Sequence, residues 1–281
     1  MKSKGNAERF RPEMTVAGLS PTHAVPAMNE RGKVVEVDIA GEFPLTVRID
    51  RQEVVTLMTL GTHPEALALG YLRNQRIVDE IEQVRSVAVD WDAETVDIET
   101  FQGRAGGLLQ AQASRRIVTS GCGQGTMFSC TIDVLYEINV RPVALRQSTI
   151  YALLKAVANH NVTYRKAGAV HACALCNGDR VEIFIEDVGR HNAADTVAGK
   201  MWLAGLSGGG RILYTTGRLT SEIVMKTAQL EIPVLLSRSG ITHMGLELAQ
   251  DLGITMIARA KGRKFLVYSG RKNIILDVPP A

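Results

Sequence analysis

The stretch RILYTTGRLTSEIVMKTAQLEIPVLL, residues 211–236, decides the fold class of this chain. Residues 211–215 and 233–236 are short apolar runs of the kind that form buried strands. Residues 220–230 lie between these runs and predict a helix. A strand, a helix and a second strand in this order build a sheet that is covered by helices.

The same alternation continues on both sides of this unit. Strands are predicted at residues 169–175, 181–186, 254–258 and 265–268, and helices at residues 192–204 and 242–252. Another helix begins after Ser148, which is a suitable capping residue. Together these elements predict an α/β domain over residues 116–281.

Residues 32–115 predict a second, smaller domain of the α+β class. Apolar and polar side chains alternate over residues 35–39 and again over residues 45–49, which is typical of half-buried strands. Thr62 and Glu65 have the spacing of a capping box, so a helix is expected to begin there.

Composition limits the classes of protein to which the chain can belong. Its net charge of +3 suits an anionic ligand and does not indicate nucleic-acid binding. Four cysteines are too few for a disulfide scaffold, and neither a membrane-spanning run nor a signal peptide is present. We expect a cytoplasmic protein without a nucleic-acid or membrane partner. Residues 1–31 lack periodicity and predict a mobile tail.

Three strand-to-helix junctions, at residues 186–192, 215–221 and 236–242, share one chemistry. Each combines glycine and arginine with small hydroxyl or amide side chains. Such junctions meet at the carboxyl ends of the strands, where helix N-termini and arginine bind phosphate. The alternative is helix capping with solvated arginines. The expected ligand contacts are Gly189, Arg190, His191, Asn192, Gly217, Arg218, Ser221, Ser237 and Arg238.

A fourth basic segment lies between the last two predicted strands. It consists of Arg259, Ala260, Lys261, Gly262, Arg263 and Lys264. A charge run in a hairpin is often only solvated, but these cations also suit a pyrophosphate or a large anionic cofactor. No Walker loop or Rossmann glycine fingerprint occurs, which argues against an ATPase or a nicotinamide enzyme.

Cys122 lies in a glycine-rich turn, SGCGQG, at residues 120–125. The glycines leave the thiol little side-chain cover and let backbone N–H groups gather around it, which favours the reactive thiolate. The alternative is a glycine turn that happens to contain a small residue.

A second cysteine pattern, HACALC at residues 171–176, has two interpretations. His171, Cys173 and Cys176 resemble a zinc ligand set. On a strand, however, Cys173 and Cys176 would point to opposite faces, so that buried small residues are the alternative. We expect no tightly bound metal.

Several of these motifs closely resemble the formate dehydrogenase accessory sulfurtransferase (FdhD) family. The matching stretches are EALALGYL (residues 65–72), GAVHA (168–172), EDVGRHNA (186–193), TGRLTSE (216–222) and IPVLLSRS (232–239). The resemblance extends from residue 34 to residue 268. It implies a cytidine-deaminase-like α/β/α domain at the C-terminal end.

The resemblance also implies a function. A cysteine desulfurase would load a persulfide onto Cys122, and the sulfur would pass to the molybdenum bis(molybdopterin guanine dinucleotide) cofactor for formate dehydrogenase. The segment 259–264 and the three junctions would hold that cofactor. The resemblance further implies a homodimer.

One position departs from the family pattern, because Gly125 stands where family members usually carry a second cysteine. A dithiol relay within the turn is therefore impossible. This departure keeps open a non-catalytic molybdenum cofactor chaperone. A zinc deaminase is a third reading, although Cys173 occupies the position of the catalytic glutamate.

Overall fold

The structure is a computed structural model that describes residues 10–101, 116–118, 126–128, 135–138 and 140–279, with backbone only for the two short segments 116–118 and 126–128. The chain has a mixed α/β fold. Its first part forms one five-stranded sheet and a two-stranded hairpin, and its second part forms a six-stranded sheet.

The five-stranded sheet has the strand order β1-β6-β7-β4-β5. Alternation in β4 buries Leu45, Val47 and Ile49 completely against helix α1, as the sequence predicts. The strands of the first part are β1 (Glu13–Met14), β2 (Thr22–Met28), β3 (Val34–Ala40), β4 (Phe43–Ile49), β5 (Gln52–Thr59), β6 (Val84–Asp90) and β7 (Thr95–Thr100), and α1 is Pro64–Asn74.

The prediction of a mobile tail is wrong for residues 10–31. Strand β1 pairs with β6, and β2 pairs with β3 in an antiparallel hairpin. The predicted capping box at Thr62 is also wrong, because α1 begins at Pro64 without a side-chain cap. The buried Glu65 instead accepts hydrogen bonds from the Thr15 hydroxyl and the Ala17 amide, both at 2.8 Å, and so fixes the N-terminal segment.

The six-stranded sheet has the order β12-β11-β13-β14-β15-β16. Strands β12, β13, β14 and β15 run in one direction, and β11 and β16 run in the other. The strands of the second part are β8 (Arg116–Val118), β9 (Thr126–Phe128), β10 (Leu145–Arg146), β11 (His171–Asn177), β12 (Arg180–Asp187), β13 (Ile212–Thr215), β14 (Val234–Ser237), β15 (Thr255–Lys261), β16 (Lys264–Val267) and β17 (Ile274–Ile275).

Helices cover both faces of this sheet. One face packs on α2, through Ile150, Leu153 and Val157, and the other face packs on α4, α5 and α6. The helices are α2 (Gln147–His160), α3 (Val162–Ala167), α4 (Arg190–Ala204), α5 (Ser221–Gln229) and α6 (His243–Asp251), and single 3₁₀ turns occur at Ile81–Gln83 and Arg271–Asn273. Within the described residues, no helix is long and apolar enough to cross a membrane.

Two glycines let α1 and α4 cross in close contact and join the two parts of the chain. A Cβ atom on Gly70 would lie 1.7 Å from the carbonyl oxygen of Asp195, and one on Gly199 would lie 1.9 Å from that of Ala66. Both neighbours are helix backbone, so neither can move aside without moving a helix.

We therefore expect Gly70→Ala to lower the free energy of unfolding by about 3 kcal/mol, because the helices must separate to admit the methyl group. Denaturant unfolding measures this change. Gly209→Ala is the matched control, since nothing lies within 4 Å of its Cβ position. Equal stability of the two variants would contradict the close helix crossing.

Candidate functional site

The three polar junctions lie along a single edge of the six-stranded sheet. They follow β12, β13 and β14, which run in the same direction, so the carboxyl ends of these strands face the same way. Strand β11 runs oppositely and therefore begins at this edge with His171. The basic segment 259–264 joins β15 to β16 at the same edge, and the Arg259 amide donates to the Ser239 carbonyl at 2.9 Å.

Positive charges from all three junctions act on His171. Burial lowers the pKa of His171, and the positive charges of Arg190, Arg218 and Arg238 lower it further. The guanidinium of Arg238 also lies 5.8 Å from the ring centre of Tyr164. The predicted convergence of the junctions is therefore present in the fold.

Arg190 is the most unusual of these arginines. It is 9% exposed, and its Nε and Nη2 atoms are buried without a hydrogen-bond partner in the described part of the chain. No described carboxylate forms an ion pair with it. Gly217 makes room for the side chain, since a Cβ there would lie 2.9 Å from Cδ of Arg190. A buried cation without a counter-ion is costly, and a bound anion would offset that cost.

Two adjoining cavities meet at His171 and Val188. The first, of about 260 Å³, lies between the two parts of the chain and is lined by Tyr71 and Gln75 on one side and by Arg190 and His191 on the other. The second, of about 340 Å³, is more open and includes Tyr164, Thr216 and Arg238. We call the first of these the interdomain cavity.

A buried ionic cluster forms one wall of the interdomain cavity. Lys226 is 1% exposed, and its Nζ lies 2.8 Å from Asp195 and 3.4 Å from Glu222. Asn74 of α1 donates to the other oxygen of Asp195 at 2.6 Å. The nearby carboxylates raise the pKa of Lys226 even though burial opposes this, so the amine is charged.

Asp187 fixes the first junction against the N-terminal sheet. Its buried carboxylate accepts hydrogen bonds from the Thr59 hydroxyl at 2.5 Å, the Leu60 amide at 3.1 Å and the Gly189 amide at 2.8 Å. Burial raises the pKa of Asp187, and these hydrogen bonds oppose that rise. Asp187 therefore positions the loop that precedes Arg190.

Two of the predicted ligand contacts, Asn192 and Ser237, have hydrogen-bond partners within the protein, and their contact with a ligand stays a prediction. The side-chain amide of Asn192 donates hydrogen bonds to the Met58 carbonyl at 2.7 Å and to the Asp187 carboxylate at 3.1 Å. The buried Ser237 hydroxyl donates to the Gly217 carbonyl at 2.6 Å and joins the second and third junctions. Ser221 is the first residue of α5.

The segment 259–264 is mostly exposed, as a ligand-binding segment requires, but one of its residues is not. Ala260 is 1% exposed and belongs to the core beneath α2, so its side chain is not available to a ligand, and the role of the segment as a whole stays a prediction. The cause of this burial is an irregularity in β15 at Arg259, whose φ is 54°, which turns Ala260 to the face beneath α2 and leaves Arg259 and Lys261 exposed. Lys264 and Arg263 also face outward, and Arg263 lies over the Tyr151 ring at 5.4 Å.

Cys173 and Cys176 are buried in the cores on opposite faces of the six-stranded sheet. Burial raises the pKa of Cys176 to about 12, and it raises that of Cys173 as well, so both thiols are protonated and unreactive. In the described part of the chain no three His, Cys, Asp or Glu side chains are placed to hold a metal ion. The opposite-face interpretation of HACALC is thus the correct one.

Cys122 and Gly125 lie outside the described residues, as does Cys130. The flanking strands β8 and β9 are described, and they pair in an antiparallel arrangement with Val118 opposite Thr126. The role of Cys122 stays a prediction from the sequence.

His191 should make stability depend on pH. Burial lowers its pKa to about 3 from an ordinary value of 6.5, and Lys226 and Arg190 add to this effect. Below about pH 6.5 the unfolded chain takes up a proton on His191 that the folded protein does not. The free energy of unfolding therefore falls by about 1.4 kcal/mol for each unit by which the pH is lowered further.

Between about pH 7.5 and about pH 5, we therefore expect the parent to lose about 2 kcal/mol more than His191→Gln does. Urea unfolding of both proteins at the two pH values measures the difference. The comparison of parent and variant removes the contributions of the carboxylates, which both share. An equal loss of unfolding free energy in the two proteins would show that His191 is not held neutral in the folded state.

Comparisons with known proteins identify the family to which the chain belongs. Residues 40–275 match the model of the FdhD/NarQ family. A sulfur carrier protein FdhD from Shouchella clausii is 30% identical over 252 residues, which is 88% of this chain and 94% of that protein. The protein of the same name from Bacillus subtilis is 28% identical over 248 residues, covering 87% and 94%.

A solved structure from Desulfotalea psychrophila, assigned as a formate dehydrogenase accessory protein, has the same fold. It superposes with a TM-score of 0.70 over 90% of this chain and 98% of that one, at 24% identity. At this identity the likeness establishes the fold alone.

Proposed function

The chain belongs to the FdhD/NarQ family, and from this premise we propose that it is a sulfur carrier in the maturation of formate dehydrogenase. Its relatives bear the name sulfur carrier protein, which supports sulfur transfer as the general activity. The observation that carries the proposal furthest is Arg190, a buried guanidinium without a protein counter-ion at the edge where four basic segments meet.

Cys122 is the proposed sulfur-bearing residue. Its thiolate attacks the outer sulfur of a persulfide on a cysteine desulfurase. A new S–S bond forms at Cys122, the S–S bond of the donor breaks, and the donor cysteine leaves as a thiolate. The glycines around Cys122 support this role because they leave the sulfur accessible to a partner.

The acceptor in this proposal is the molybdenum bis(molybdopterin guanine dinucleotide) cofactor, bound as a substrate. Its phosphates require several cations. Arg190, Arg218 and Arg238 together with the exposed cations of residues 259–264 supply them along one edge. Arg190 binds the innermost anionic group, because it alone of the three junction arginines is buried.

The classification of the second part of the chain as cytidine-deaminase-like belongs to the same proposal. The order of layers, with α2 on one face and three helices on the other, supports a cytidine-deaminase-like domain. A homodimer and a cytoplasmic location stay predictions.

A maturation assay separates this function from its alternative. Variants are expressed in a bacterium that lacks its own family member, and formate dehydrogenase activity is measured. We expect the parent chain to restore activity, and Cys122→Ala and Arg218→Ala each to reduce it at least tenfold. Cys130→Ala is the control, since it removes a thiol that the proposal does not use.

A non-catalytic cofactor chaperone is the second candidate, and Gly125 is the observation that favours it. A chaperone needs the arginines but no thiol. Full activity with Cys122→Ala, combined with loss of activity in Arg218→Ala, would therefore support the chaperone and contradict the sulfur carrier.

A further inference from the structure

His191 lies beside a carboxylate at one of its two ring nitrogens. Its Nδ1 is 3.2 Å from Oε1 of Glu222, although the contact does not have the geometry of a hydrogen bond. Nε2 is likewise buried without a hydrogen-bond partner among the residues that the structure describes, and the side chain lines the interdomain cavity. The two ring nitrogens of His191 therefore have different surroundings.

The position of Glu222 is set by the buried ionic cluster. Lys226 lies 3.4 Å from the same Oε1 atom, one helical turn away on α5, and Lys226 is itself held by Asp195 at 2.8 Å. Asp195 is in turn fixed by Asn74 of α1. This chain of contacts runs from the N-terminal part of the protein to the imidazole ring.

The surroundings decide which ring nitrogen carries the proton. A neutral imidazole has one N–H donor and one acceptor nitrogen, and the nitrogen beside a carboxylate is the one that keeps its proton. The ionisable groups that face His191 are Lys226, Glu222, Arg190 and His171. Burial, together with Lys226, Arg190 and His171, lowers the pKa of His191 to about 3, and Glu222 opposes this shift. The ring is therefore neutral, with the proton on Nδ1.

We propose that Glu222, held in place by Lys226 and Asp195, is a positioning residue that keeps His191 protonated on Nδ1, so that Nε2 accepts a hydrogen bond from a ligand in the interdomain cavity. The identity of the ligand rests on the proposed function, whereas the position of the proton does not.

The rest of the cavity wall defines the class of ligand. Arg190 offers donors for an anionic oxygen, and the Oε1 atom of Gln75 is a second buried acceptor without a partner in the described chain. Gln75 is 2% exposed, so water cannot satisfy this oxygen freely. The cavity thus suits a ligand that carries both an anionic oxygen and an N–H or O–H donor, and a nucleotide provides both.

The proton position can be measured directly by NMR of the full chain labelled with ¹⁵N in its histidine rings. His191→Gln identifies the His191 signals by their loss. In the parent we expect a protonated Nδ1 and an unprotonated Nε2 between about pH 5 and about pH 8. A protonated Nε2 in the parent would overturn the proposal without the use of any variant.

Two variants test the role of Glu222. Glu222→Met leaves the Lys226–Asp195 pair intact but removes the acceptor, so the proton should redistribute to Nε2. Glu222→Gln keeps a carbonyl oxygen and should retain the proton on Nδ1. Glu247→Met is the matched control, because Glu247 lies 3.3 Å from His243 in an exposed pair with the same kind of contact. An unchanged His191 in Glu222→Met would overturn the proposal.

Titration with GDP tests the ligand. We expect GDP to shift the Nε2 signal of His191, and we expect Glu222→Met to bind GDP about tenfold more weakly than the parent while Glu222→Gln binds nearly as well. Binding of GDP without any change at Nε2 would overturn the acceptor role. Failure of every protein to bind GDP would contradict the proposed function, while the proton position in the free protein would still stand.

Discussion

Replacing Arg190 by methionine is expected to reduce the affinity for GDP about a hundredfold while making the free protein more stable. Arg190 is 9% exposed, and its guanidinium has no described counter-ion. In the absence of ligand, its desolvation therefore destabilises the folded protein, because no ion pair offsets it. With an anion bound, the guanidinium forms charge-assisted hydrogen bonds that are buried. Removing the cation from such a buried pair lowers the binding affinity strongly, because the anion is left buried and unpaired. Methionine fills a similar volume and needs no partner.

Two measurements on the same pair of proteins check this prediction. Calorimetric titration with GDP should show the loss of affinity, and urea unfolding without ligand should show a gain of about 1–3 kcal/mol. Arg180→Met is the matched control, because Arg180 begins β12 at the opposite edge of the sheet and is exposed beside Glu182. If Arg190→Met destabilised the free protein and bound GDP as tightly as the parent, Arg190 would be a structural residue.

Replacing Lys226 by methionine is expected to lower the free energy of unfolding by about 3–5 kcal/mol. Lys226 lies between two buried carboxylates, those of Asp195 and Glu222. Its removal leaves both of them in a region that water scarcely reaches, at 2% and 4% exposure. This penalty far exceeds the hydrophobic gain from the methionine side chain.

Neutralising the two carboxylates that Lys226→Met leaves unpaired should restore much of the lost stability. The triple variant Lys226→Met, Asp195→Asn, Glu222→Gln keeps the shapes of both acids and should regain more than half of the loss. Chemical unfolding of the single and triple variants measures the recovery. The contact that the exposed Arg180 makes with Glu182 sets the scale for a surface ion pair, which is worth less than about 1 kcal/mol. A single variant no more destabilised than Arg180→Met would show that the cluster is not electrostatically coupled.

The fold of the second part follows closely from sequence because its signals are local. Residues 211–236 give a strand, a helix and a strand within a residue or two of the predicted ends. Parallel strands joined by helices then place the three junctions at one edge by topology alone. The opposite faces of Cys173 and Cys176 follow from strand alternation in the same way.

The first part was predicted less well because its contacts are distant in sequence. β1 is only two residues long, and it depends on β6 about seventy residues away and on a buried Glu65. β3 is a strand as predicted, but Val37 and Ile39 on it are 38% and 46% exposed. Alternation identifies a strand without showing whether anything covers its apolar face.

The most informative parts of the site were not visible in the sequence. Asp187 occurs in the EDVGRHN motif, but its bonds to Thr59 and Leu60 come from another sheet. Lys226 is an ordinary helical lysine until the fold places it between two acids. The spacing of Glu222 and Lys226, four residues apart on one helix, was the one available signal.

The most direct test of sulfur transfer is the intact mass of the protein after incubation with a cysteine desulfurase and cysteine. We expect the parent chain to gain one sulfur atom, Cys122→Ala not to gain it, and Cys130→Ala to gain it as the parent does. Absence of the sulfur adduct from the parent, or its persistence in Cys122→Ala, would contradict the assignment of Cys122 as the sulfur carrier.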